Sequence, residues 1–351
     1  MVFFVLSGYL VGGSVLRSLV ADRWSWKHYL FNRLTRIYIV LIPSLLLGLC
    51  WDQIGIRLPG AAFFYGGHDT ALFLTNSVYV RMTAKAFVGN ILFLQVVSSR
   101  HLGIHPFNSF GSNTPLWSLC NEFWYYVMFP VLALTIKPVQ TMVNRLLHVV
   151  LLLAILCIVG SDLALYMIPW LMGVLVNFAP RSSLGKHSTV RAIRGIALSI
   201  FILGMVSPRF ILMHSARISI WNDMAVGLES TLLIWALVQA QPASSPPITQ
   251  GFVSSQIAKS SYTLYLVHLP LLVFLKVVFH VVPGQPSPLA LLIFLTVCLS
   301  VFGYSQIVYI SFERHTDSIR QKLRLILFTA RERSTIFRVL QAIPGHGFRP
   351  R

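Results

Sequence analysis

The sequence predicts an all-α, polytopic transmembrane helix bundle of about nine spans, and three observations carry that expectation. First, 56% of the 351 residues are hydrophobic and only 11% are charged, with a mean hydropathy of +0.72. A soluble chain carries about 25% charged residues. Second, apolar runs recur at lengths near the roughly 20 residues that a bilayer-crossing helix requires. Third, those runs are continuous rather than alternating. Lipid admits only helices or closed barrels, because every backbone polar group must be satisfied internally, and continuous runs select helices.

Taken in order, the spans fall near 1–20, 37–51, 115–135, 147–159, 163–179, 193–208, 222–239, 257–281 and 288–312. The segment 86–98 is apolar but too short for a span, so it reads as interfacial or re-entrant. The stretch 240–256 is rich in Pro and Ser and reads as a linker. No tandem repeat is visible. The organisation is therefore one membrane-embedded domain, 1–312, followed by a basic tail, 313–351. That tail mixes Arg320, Lys322, Arg324, Arg331, Arg333 and Arg338 with Leu323, Ile326, Leu327, Phe337 and Leu340. It suits either a helix lying on an anionic inner leaflet or a disordered basic end that enforces topology.

Charge sets the orientation. The net charge is +18, but in a membrane protein this reflects Lys and Arg concentrated in cytoplasmic loops, not a nucleic-acid partner. With 21–36 inside and nine crossings, only Arg57, Arg81, Lys85, Arg100, Arg209, Arg217 and Lys276 of the 28 basic residues fall outside. The expected location is the cell (inner) membrane, with a cytoplasmic C-terminus. At the other end, Met1 leads straight into Val2-Phe3-Phe4-Val5-Leu6 with no basic flank. The expectation there is a displaced start, with a helix entering from the cytoplasm ahead of it.

Cys50, Cys120, Cys157 and Cys298 lie in or beside separate spans and define neither a disulfide framework nor a zinc site. Eleven histidines are present without metal-ligand spacing, and no Walker loop or dinucleotide fingerprint occurs. No metal and no bound cofactor are expected.

Ionisable groups inside spans are costly and usually functional. Glu122 stands in Trp117-Ser118-Leu119-Cys120-Asn121-Glu122-Phe123-Trp124-Tyr125-Tyr126. Ser118, Tyr125 and Tyr126 lie three or four residues from it and so share its helix face. A carboxylate beside hydroxyls can bind a polar substrate or move a proton, or simply tie two helices together. His268 stands mid-span, one turn after Leu264 and Tyr265 and just before Pro270. That proline removes a donor and should free a backbone carbonyl. The imidazole can serve as a base or bond to a neighbouring helix. Glu229 is a third such group, with undistinguished surroundings. Arg33 and Arg36, three apart at the membrane surface, suit a phosphate, although the positive-inside rule alone also accounts for them.

Together these pieces resemble the acyltransferase-3 family of membrane acyltransferases. Phe3-Phe4-Val5-Leu6-Ser7-Gly8-Tyr9-Leu10 is similar to its second-helix motif, and Arg33-x-x-Arg36 to its cytoplasmic Arg pair. Trp117-Ser118-Leu119-x-x-Glu122-x-x-Tyr125-Tyr126 resembles a third motif, and Ser261-Tyr262-x-x-Tyr265-Leu266-x-His268 a fourth. They occur in the family's order. The resemblance implies about ten helices, of which nine would be present here. It implies transfer of an acyl group, commonly acetyl, from acyl-CoA as co-substrate to a hydroxyl of a carbohydrate, a glycolipid or another cell-surface acceptor. It also implies Glu122 and His268 as catalytic residues and Arg33 and Arg36 as the donor grip. Ser7, Trp117, Ser118, Tyr125, Tyr126, Tyr262 and Tyr265 would bind substrate. The family's own catalytic His, ten residues after a basic residue on its first helix, has no counterpart in this sequence, and the resemblance implies that activity needs that helix as well as these 351 residues. The expectation is that Glu122, near the outer end of its span, and His268, near mid-membrane, face one cavity that receives the acceptor hydroxyl. Membrane lipid is the other expected partner. A transporter or flippase for a polar headgroup and an inactive membrane scaffold are the alternative readings. The oligomeric state stays open.

Overall fold

In the computed structural model the described residues are 1–67, 77–99, 102–138, 140–179, 187–206, 216–239, 252–280 and 287–327. The linker expected at 240–256 falls largely outside them, as does the tail beyond 327. Helices dominate. They are α1 (Val2–Ser7), a π turn (Gly8–Gly12), α2 (Gly13–Val20), α3 (Trp26–Gly55), α4 (Ala61–Tyr65), α5 (Ala84–Ile91) and α6 (Leu116–Ile136). There follow α7 (Met142–Val159), α8 (Ser161–Leu175), α9 (His187–Val206), α10 (Ala216–Gln239), α11 (Phe252–Val278), α12 (Pro288–Ser311) and α13 (Thr316–Leu327). Among the described residues there is no strand, and one isolated antiparallel bridge joins Ser99 to Ile104.

The nine expected spans each correspond to a long helix, with α1 and α2 forming one run through the π turn. Eight of these helices are long and apolar enough to cross a bilayer. The ninth, α10, carries Asp223 and Glu229 and falls short of that measure. The short α5 covers the segment read as non-spanning; eight residues rise only about 12 Å. Boundaries differ more. Helix α3 starts at Trp26, α7 at Met142 and α11 at Phe252, each several residues before its apolar run. Hydropathy marks where lipid begins, whereas helical hydrogen bonds continue through the polar turns on either side. One consequence is that Arg33 and Arg36 stand on α3 itself.

The chain divides into two units: Met1–Asp22, Phe93–Phe107 and Trp117–Gly251; and Arg23–Leu92, Asn108–Leu116 and Phe252–Arg351. In the first, α1 packs on α8 and α10, and α9 packs on α10. Small residues set the α1–α8 crossing. A Cβ at Gly8 would collide with the Trp170 carbonyl oxygen, and one at Gly173 with that of Val5. Lipid supplies no hydrophobic drive between helices, so close backbone approach at small residues is how such pairs gain packing energy. Outward, α7 exposes Leu146, Leu147, Val150 and Leu153, and α9 exposes Ile196, Ile200 and Leu203. Contiguous apolar surface of this kind needs a bilayer, not water, around it.

In the second unit α11 packs on both α3 and α12, and α13 lies against α3. At one end, α4 covers α11 through Ala61, Phe64, Tyr65, Leu269, Val273 and Val277. The lipid-type surface here is on α12, with Leu291, Leu292, Leu295 and Leu299 exposed.

Candidate active site

Glu122 is 3% exposed on α6. Its Oε1 accepts a hydrogen bond from Ser7 Oγ of α1 at 2.5 Å and another from the Tyr126 hydroxyl one turn further along α6. The Trp170 indole of α8 donates its Nε1–H to Ser7 Oγ at 3.2 Å. The chain Trp170 to Ser7 to Glu122 therefore runs in one direction. Ser7 receives from the indole and gives to the carboxylate, so its proton and one of its two lone pairs are committed. Phe4 packs edge-on against Trp117 and Tyr125, with ring centroids 5.9 and 5.6 Å away. The Tyr166 hydroxyl, with its ring 5.5 Å from Trp117, donates to Asp223 Oδ2 at 2.9 Å.

Several residues singled out in the sequence thus meet. Ser7, Glu122 and Tyr126 form one network, and Trp117 lies in the aromatic wall beside it. Ser118 is buried on the same helix. Tyr125 does not join the carboxylate: its hydroxyl donates to the Leu163 carbonyl at 3.1 Å. Its i+3 position put it near the Glu122 face, but the approach of α8 offers it a closer acceptor. Trp170, Tyr166 and Asp223 escaped the sequence reading. Trp170 and Tyr166 look like the Trp and Tyr common in membrane helices, whereas Asp223 carried the signal of an ionisable group at the start of an expected span; all three matter because of where α8 and α10 pack.

His268 lies in the second unit, as do Tyr262, Tyr265 and the Arg pair. Its Nδ1 is 2.8 Å from the Tyr265 carbonyl and 3.2 Å from that of Leu264, both on its own helix. A carbonyl only accepts, so Nδ1 carries a proton, and in the neutral imidazole Nε2 then holds the lone pair. The Tyr265 ring lies 5.9 Å from the imidazole, and its hydroxyl donates to the Pro115 carbonyl at 2.5 Å. The Tyr262 hydroxyl donates to the Ile37 carbonyl at 3.4 Å. Both tyrosines therefore tie α11 to its neighbours within this unit.

A third polar centre had no sequence expectation. Asp52, 1% exposed in the last turn of α3, accepts from the Ser112 backbone N–H at 2.8 Å and from Ser112 Oγ at 2.6 Å. Gly111 adopts φ +59, and a Cβ there would run into the same carboxylate. The next residue, Asn113, donates Nδ2–H to the Leu266 carbonyl at 2.8 Å. The loop entering α6 is thus pinned to α3 and α11 from both sides.

Glu229, the remaining ionisable group noted in the sequence, lies on α10 against α9, where a Cβ on Gly204 would strike its carboxylate. Of the Arg pair, the Arg33 guanidinium lies over the Tyr29 ring at 5.6 Å, and Arg36 is exposed. Among the described residues no group of three or more His, Cys, Asp or Glu side chains is placed to hold a metal.

Comparison with known proteins adds one finding. No curated protein and no solved structure matches the chain. The acyltransferase-3 family model, described as an acyltransferase domain, matches residues 1–305. That region contains all four sequence motifs, the Glu122 network, His268 and the Arg pair. An eight-span apolar helix set bearing this match means that the chain belongs to the acyltransferase-3 family of membrane acyltransferases.

Proposed function

We propose that the protein transfers an acyl group, acetyl in the simplest case, from acyl-CoA to a hydroxyl of a carbohydrate, glycolipid or other cell-surface acceptor. It does so in the cell membrane, with its C-terminus in the cytoplasm. The observation that carries this reading is the buried Glu122 carboxylate, held by Ser7 and Tyr126 with Trp170 behind. A carboxylate in the middle of a helix bundle is expensive, and one already oriented by two hydroxyls is suited to an acceptor O–H. In the reaction the thioester C–S bond breaks and an ester C–O bond forms. The acceptor loses its proton to a base, and the departing thiolate ends as the CoA thiol. Glu122 takes the role of orienting the acceptor hydroxyl and receiving its proton. His268, with its Nε2 lone pair presented, takes a second acid–base role. Arg33 and Arg36 hold donor phosphates by charge-assisted hydrogen bonds.

The test is acyl transfer in proteoliposomes, with acetyl-CoA labelled in the acetyl group and a panel of hydroxylated acceptors. Label appearing in a base-labile ester supports the reading. Movement of a glycolipid headgroup across the bilayer with no ester formed would support a flippase instead.

A further inference from the structure

The Arg pair of α3 does not stand alone. Helix α13, beyond the family-matched residues 1–305, packs against the start of α3 and brings two more arginines to it. Arg320 Nε donates to Thr35 Oγ1 at 3.2 Å, and Arg324 Nη2 donates to Asn32 Oδ1 at 2.7 Å. The Arg324 guanidinium also lies over the Phe31 ring at 5.9 Å. Arg320 is within electrostatic range of Arg33, Arg36 and Arg324. Four guanidinium groups thus converge on about two helical turns of α3.

Two features set this cluster apart from a topology signal. A topogenic arginine needs only to reside in the right loop, whereas the Arg320 side chain is 21% exposed and bonded in place. Moreover, the groups that anchor it to α3 are neutral. Two carboxylates are near: Asp317 pairs with Arg320 at 2.8 Å, and Glu313, which accepts from Thr263 N and Oγ1 at 3.2 and 2.5 Å, also interacts with Arg36. Among the described residues, four guanidinium groups that repel one another thus stand beside two carboxylates. A ligand bearing several phosphate oxygens relieves that repulsion and matches the planar forks of the guanidinium groups.

We propose that Arg33, Arg36, Arg320 and Arg324 form one phosphate-binding site, assembled by α3 and α13, that takes the phosphate groups of the acyl donor. This rests on the acyl-CoA reading above and extends the donor site to a helix outside the family-matched region. The shared chemistry is a phosphate anion, which a lipid headgroup also offers.

The experiment measures binding of CoA and of 3′-dephospho-CoA to the full chain in neutral detergent. It is repeated in nanodiscs of phosphatidylcholine with and without phosphatidylglycerol. Arg320→Gln/Arg324→Gln should weaken CoA binding by at least about tenfold, the scale of one lost charge-assisted hydrogen bond. Lys322→Gln, an exposed residue of the same helix, should stay near wild type. Arg320→Lys/Arg324→Lys keeps the charge and the packing stem, and should fall between the two; it serves if the Gln variant does not fold. If the Gln and Lys variants bind CoA like wild type while Arg33→Gln/Arg36→Gln loses it, α13 has no part in the site, yet the donor reading survives. Equal losses in Lys322→Gln would reduce the effect to general charge and overturn the proposal. If wild type ignores CoA but shows arginine-dependent preference for phosphatidylglycerol, the site is for lipid, and the donor role of Arg33 and Arg36 falls with it.

Discussion

Asn113 supplies the hydrogen bond that Pro270 withholds. In a regular helix the Leu266 carbonyl would accept from the N–H of residue 270; proline has none. The Asn113 Nδ2–H takes that place at 2.8 Å, with Leu266 fully buried and Asn113 3% exposed. The proline of α11 and the loop entering α6 are therefore one structural device, adjoining the residues around His268.

This pairing predicts a coupled mutational cycle. Asn113→Ala strands a buried carbonyl and should cost about 1–3 kcal/mol. In a Pro270→Ala background the restored N–H can serve Leu266, so the same change should cost clearly less. Thermal unfolding in detergent measures both. Strictly additive costs would show that the two residues are independent.

Glu122→Gln should preserve the packing of α6 but remove the group that can take a proton. Acyl transfer is expected to fall by about 10²–10⁴-fold, the usual weight of a general base. Ser7→Ala and Tyr126→Phe should each cost less, because each removes only one orienting hydroxyl. Steady-state transfer rates at saturating acyl-CoA decide this; a Gln variant retaining wild-type turnover would leave Glu122 with a structural role alone.

Charge reversal at both Arg33 and Arg36 should raise the apparent KM for acyl-CoA while leaving the protein inserted and monodisperse. Guanidinium pairs contribute by binding the donor, not by altering the reacting carbonyl, so the effect should appear in KM more than in kcat. Unchanged acyl-CoA affinity in detergent would argue against the donor role.

Gly173→Ala should separate α1 from α8. The added Cβ meets the Val5 backbone carbonyl, which no side-chain rotation can relieve, and overpacking of this kind costs about 1–3 kcal/mol. Because Ser7 rides on α1 and Trp170 on α8, the same substitution should loosen the Glu122 network. The expected outcome is a lower unfolding temperature together with reduced transfer. Wild-type behaviour in both would mean that the crossing relaxes without disturbing the site.

The sequence alone determined the class of the molecule. Long apolar runs with few charges leave a chain no stable alternative to membrane helices, so the all-α bundle and the approximate position of every long helix were legible. The short segment at 86–98 was legible as non-spanning for the same reason. Glu122 and Arg33-x-x-Arg36 stood out because an ionisable group in or beside a span differs from its neighbours, whereas Ser7 entered only through the motif resemblance. Pairings between distant segments were not readable. Tyr126 reaches Glu122 within its own helix, as the i+4 spacing suggests, but only tertiary packing sent Tyr125 to Leu163, although it too lies within one turn of the carboxylate. Only packing brought Trp170 behind Ser7, closed Asp52 on Ser112, and laid α13 against α3. Local sequence fixes which face a side chain occupies on its own helix. Its partner depends on which helix arrives at that face and how closely small residues such as Gly8 and Gly173 let it approach.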